Sequence, residues 1–78
     1  MMKVFEFSFL VADLGDETID AIYGRCPDAS VGASDGRTYV AFDREANCLE
    51  SALDSAVADL WQLGIRPLRV EMDVPEPV

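Results

Sequence analysis

The 78-residue sequence contains no histidine, so it lacks the one side chain whose ordinary pKa lies near neutrality. A general base would have to be a carboxylate, a cysteine or a lysine displaced from its usual range. Lysine is nearly absent too. The six basic residues are Lys3 and five scattered arginines, set against 15 Asp and Glu, for a net charge of −9. Phosphate backbones are gripped through clustered Lys and Arg, so no direct nucleic-acid binding by this chain is expected, and an anionic membrane surface is disfavoured for the same reason.

Cysteine is scarce. Cys26 and Cys48 are the only two, with no Cys-x-x-Cys spacing, which argues against a structural zinc site and against a disulfide-stapled secreted fold. Both are expected to be reduced, small, buried hydrophobes. The start Met1-Met-Lys-Val-Phe-Glu-Phe7 has neither the apolar run nor the small-residue cleavage site of a signal peptide, and no apolar run approaches membrane-spanning length. The expectation is a cytoplasmic protein with no cofactor and no metal.

Catalytic motifs are equally sparse. The serines have no Gly-x-Ser-x-Gly context, Gly32 and Gly36 lack the Lys-Ser/Thr that completes a phosphate loop, and Asp13, Asp16, Glu17 and Asp20 lack the order of a calcium loop. Asp43 and Glu45 around Arg44 could form an acid pair or weakly hold a divalent cation, but two residues apart at a strand end they read better as solvated charges. No catalytic residue is assigned, and the chain is expected not to be an enzyme.

What is present is periodicity. Residues 4–11 alternate, with Phe5, Phe7, Phe9 and Val11 on one side and Val4, Glu6, Ser8 and Leu10 on the other, the mark of a strand. Ile19, Ile22 and Tyr23 recur at helical spacing from Asp16 to Arg25, ahead of Pro27, which cannot continue a helix. Two extended runs, 29–33 and 37–42, flank Ser34-Asp-Gly36, a hairpin signal. Asn47 and Glu50 resemble a capping box, followed by an apolar stripe of Leu49, Ala52, Leu53, Ala56, Val57, Leu60 and Leu63 from about Cys48 to Leu63. Asp54 and Asp59 are expected to point away from that stripe, and Trp61 lies one position off it, where it could be an exposed interface anchor but reads better as the edge of a core. Gly64 and Ile65 form a left-handed helix end. Leu68, Val70, Met72 and Val74 then alternate with Arg69, Glu71 and Asp73, giving a last strand with one wet face.

This order, β-α-β-β-α-β, predicts one α+β domain over 1–74, a ferredoxin-like two-layer sandwich whose antiparallel sheet carries both helices on one face, and a disordered tail at 75–78. The other sheet face would be open, bearing Glu6, Ser8, Tyr39, Ala41, Arg69 and Glu71. With Asp20, Asp54 and Asp59 on the helical layer, these residues form the candidate interaction surface. A thin core in so short a chain favours a homodimer.

Ala29–Gly32, Gly36–Ala46 with its Phe42-Asp-Arg-Glu-Ala46, Ser51–Leu60 and Val70-Glu71 resemble the N-terminal region of a poorly characterised family of small bacterial helix-turn-helix proteins, here without the helix-turn-helix part. The resemblance implies a regulatory or partner-binding domain, and it names no residue role. The expected function is therefore a non-enzymatic protein-interaction or dimerisation module of a bacterial regulatory system, an acidic partner or antitoxin-like neutraliser of a basic protein. The alternative is a regulatory domain that senses a small molecule at a dimer interface.

Overall fold

A computed structural model describes residues 2–72. The expected continuation of the last strand to Val74 and the tail at 75–78 lie outside the described residues. The elements follow in the order β1 (Lys3–Val11), α1 (Asp16–Arg25), β2 (Ala29–Ser34), β3 (Arg37–Ala46), α2 (Leu49–Gln62) and β4 (Arg69–Glu71). The four strands form one antiparallel sheet in the order β2-β3-β1-β4.

The period-two alternation of β1 and β3 sets the register. Phe7 sits opposite Phe42, Phe9 opposite Val40, and Val31 of β2 opposite Val40. These residues share one face, where the rings of Phe7, Phe9 and Phe42 meet with centroids 5.5–5.8 Å apart. Onto that face α1 places Ile22, while α2 places Ala52, Ala56 and Leu60, all fully buried. Small residues at 52 and 56 let α2 lie close to the sheet. Together with Leu49, Leu53, Val57 and Leu63, which are partly buried against the same cluster, they reproduce the stripe read from the sequence.

Turns and caps follow from local chemistry. Asp35 and Gly36 both take positive φ, 53° and 75°, the conformation that lets a two-residue hairpin match the strand twist. At the end of α2 the Ile65 N–H donates to Leu60 C=O (2.9 Å) and the Gly64 N–H to Trp61 C=O (3.0 Å). Gly64 has φ 77° and Ile65 is buried, which is the paired bonding and apolar contact of a Schellman end.

Several details differ from the sequence reading. The capping box on Asn47 does not form: Cys48 is the N-cap of α2 and makes no side-chain bond to the helix backbone. Cys48 is therefore exposed, and only Cys26 is a buried hydrophobe. Residues 68, 70 and 72 do not face a closed core. Leu68 is 65% and Val70 42% exposed, because β4 is a short edge strand. Trp61 is 53% exposed, its ring covered on one side by the Arg66 guanidinium, 4.9 Å from the ring centre.

Candidate functional site

The sheet face turned away from the helices is built from the other half of each strand's alternation. The register places its residues in rows that run across the sheet. Tyr39, Leu10 and Arg69 form one row, since Leu10 pairs with both of the others; Ala41, Ser8 and Glu71 form the next. Gly32 extends the first row and Ser30 the second on β2. Glu6 and Asp43 stand directly opposite each other one row further on, and beyond them Glu45 faces Val4. Of the nine residues expected to form an interaction surface, the structure thus brings Glu6, Ser8, Tyr39, Ala41, Arg69 and Glu71 together on one face.

This face is polarised. Arg37 and Arg69 occupy the end nearest the β2–β3 turn, whereas Glu6, Asp43 and Glu45 occupy the opposite end. Arg69 is ion-paired with Glu71 two residues along its own strand, a hydrogen bond that holds the guanidinium still more firmly protonated. Among the described residues, Glu6, Asp43, Glu45 and Arg37 make no ion pair. Like charges directly across an antiparallel pair repel, so the Glu6–Asp43 pair is an unfavourable local arrangement that a cation from outside would relieve. Beside it lies a hollow of about 380 Å³ lined by Glu6, Phe7, Ser8, Tyr39, Glu71 and Met72.

On the helical side, Asp20 and Asp54 are exposed, but Asp59 is not a free surface charge. It belongs to an ion-pair network centred on Arg44. That side chain leaves β3 on the helix side and is only 12% exposed. Its Nε donates to Asp28 Oδ2 (2.8 Å) and Nη2 to Asp28 Oδ1 (3.0 Å), a bidentate pair, while Nη1 donates to Asp59 Oδ2 (2.8 Å) and Ser55 Oγ (3.2 Å). Arg25 reaches the other Asp59 oxygen at 3.4 Å, and the guanidinium sits 4.9 Å from the Phe42 ring centre. The network ties β3, the α1–β2 turn and α2 together. Hydrogen bonding from Arg44 holds the Asp28 carboxyl below the usual carboxylate range against the opposing effect of burial, and Asp28, then Asp59, push Arg44 to a higher pKa.

This overturns one expectation: Asp59 does not simply point away from the core. Asp43 and Glu45 are exposed charges, as their spacing suggested; strand alternation sends them to the open face and Arg44 to the other. The sequence signal for the network was faint: a lone Arg on the apolar face of β3, where Thr38, Val40, Phe42 and Ala46 are its neighbours.

The cysteines diverge. Burial, then the nearby Asp59 carboxylate 3.7 Å from Sγ, pushes the Cys26 thiol up. The Cys48 thiol lies 3.3 Å from Ser51 Oγ, and that hydrogen bond lowers its pKa. A second depression, about 420 Å³, lies between the β1–α1 and α2–β4 connections and includes Asp13, Thr18, Gly64 and Arg66. The adjoining first turn of α1 carries Asp16 and Glu17, which repel any anion the helix end would attract.

Among the described residues no group of three or more Cys, Asp or Glu could hold a metal ion, and no helix is long and apolar enough to cross a membrane. Comparison of the chain with protein-family models, curated proteins and solved structures finds no match.

Proposed function

We propose that this chain is a non-enzymatic protein-interaction module with a ferredoxin-like architecture, docking through its open sheet face onto a protein surface that presents cations. The strand order β2-β3-β1-β4 supports the architecture. The observation that carries the function is the unrelieved pair Glu6 and Asp43, set beside a hollow whose rim adds Glu71. A guanidinium or ammonium entering there gains charge-assisted hydrogen bonds and removes the cross-strand repulsion. Net charge −9 speeds encounter with any basic surface by long-range attraction. The regulatory setting, an acidic partner or antitoxin-like neutraliser in a bacterial system, rests on the resemblance of residues 29–32, 36–46, 51–60 and 70–71 described above.

The test is affinity capture with the tagged chain and with the double variant Glu6→Gln, Asp43→Asn, read by quantitative mass spectrometry. Retention of a basic protein by wild type and its loss from the variant is the expected result. Equal capture by both proteins contradicts the docking face.

A further inference from the structure

We infer that the cationic surface seated on the open face belongs to a second copy of this chain, so that the protein forms a two-fold dimer with its two sheets packed face to face and their strands antiparallel. The inference rests on the docking face proposed above and names what covers it until a basic protein competes for the same face. It follows from the order of residues along the strands.

Val40 of β3, Phe9 of β1 and Val70 of β4 share one row, because Phe9 pairs with both of the others. A two-fold axis lying between the sheets and crossing the strands at that row maps each position onto the one equally far on the other side. Arg69, one residue before the row, then faces Glu71 of the second copy, one residue after it, so the Arg69–Glu71 pair within each chain joins its counterpart in a four-charge cluster across the axis. Arg37, three residues before, faces Asp43 of the second copy, three residues after. Steric sizes match in the same operation: Tyr39 falls over Ala41 of the second copy, and Leu10 over Ser8. Large side chains thus meet small ones where aligned sheets pack about 10 Å apart. The hollow bordered by Glu71 receives Arg69 of the second copy.

An axis parallel to the strands, running between β1 and β3, would instead lay like-charged ends of the face over each other, with Glu6 facing Asp43 of the second copy and Arg69 facing Gly32. A two-fold interface has to be self-complementary, and only the crossing axis makes this face so. β1 and β3 share nine paired positions, while β2 adds six and β4 three, so the face covers roughly 450 Å², which places the dimer at the small, weak end of specific interfaces.

Charge reversal tests the inference. One variant carries Arg37→Glu and Arg69→Glu, so both ends of its face are acidic. The other carries Asp43→Arg and Glu71→Arg, so both ends are basic. All four positions are exposed or half-buried on the open face, and circular dichroism confirms that each variant is folded. Sedimentation equilibrium is run in about 0.15 M salt, where repulsion between the acidic chains is screened beyond about 8 Å. Wild type is expected to dimerise, and each variant alone to associate on the order of a hundredfold more weakly, as like charges come face to face. An equimolar mixture should restore a dimer containing one copy of each. A wild type that stays monomeric up to millimolar concentration overturns the inference, as does a mixture that fails to associate more tightly than either variant alone. In either case, capture of a basic protein that still depends on Glu6 and Asp43 leaves the docking face standing; loss of both results removes the docking face as well.

Discussion

Replacing Arg44 with methionine removes the centre of the ion-pair network while keeping a side chain of similar length over Phe42. The loss can be built up from the contacts. Two bonds to Asp28, one to Asp59 and one to Ser55 disappear, and two carboxylates lose their main counter-charge. Removing one partner of a buried ion pair costs ~3–5 kcal/mol. Here Asp28 and Asp59 keep 27% of their side-chain surface, so water recovers part of that, and Asp59 retains Arg25 at 3.4 Å. A net destabilisation of about 2–3 kcal/mol remains. For a domain of this size each kcal/mol moves the melting temperature by ~4–8 °C, so thermal unfolding at pH 7 should shift down by roughly 10–20 °C. The triple variant Arg44→Met, Asp28→Asn, Asp59→Asn should recover much of the loss, because the cost lies in the stranded carboxylates and not in the missing guanidinium. A melting temperature for Arg44→Met within about 2 °C of wild type, well under 1 kcal/mol, would refute the reasoning.

Acid should act through the same network. The Asp28 carboxyl is held below its ordinary value of 3.8, so its contribution is complete above that value and is lost as pH falls through the lower folded-state value; urea midpoints between pH 5 and 2 should fall more steeply for wild type than for Arg44→Met. Thiol titration of the folded protein with a disulfide reagent should show one fast and one slow cysteine, the fast phase vanishing in Cys48→Ser and slowing in Ser51→Ala, since Cys48 is exposed with a lowered pKa and Cys26 is buried with a raised one. Gly64→Ala forces a Cβ into φ 77° without meeting any neighbouring atom within 4 Å, so it should cost about 1 kcal/mol by strain alone, read as a lower urea midpoint with unchanged slope.

The parts of the fold that depend on neighbours in sequence were legible in advance. The limits of α1 at Asp16 and Arg25, the Asp35-Gly36 turn, the α2 stripe and the Gly64 end all follow from period, charge and backbone preference within a few residues. The alternation in β1 and β3 also placed Glu6, Ser8, Tyr39 and Ala41 on one side. The Arg44 network was not legible, because its partners Asp28, Ser55 and Asp59 come from three separate segments and meet only when α2 and the α1–β2 turn settle on the sheet. Asp59 looked like a solvated residue on the polar side of a helix, and its burial is a tertiary effect. Cys48 was misplaced for a local reason: Asn47 and Glu50 have the spacing of a capping box, yet the helix begins one residue later and leaves the thiol at the exposed N-cap. The exposure of Leu68 and Val70 follows from the edge position of β4, which alternation alone does not reveal.

The claim that the open sheet face is the binding surface is tested most directly by nuclear magnetic resonance. Backbone amide shifts of the ¹⁵N-labelled chain are followed as its concentration rises, and again on adding any basic protein recovered by capture. The account predicts that the largest changes fall on Ser8, Tyr39, Ala41 and Arg69, with the outward surfaces of α1 and α2 unmoved. Changes confined to the neighbourhood of Asp20 and Asp54 would move the binding surface to the helical layer and contradict the account.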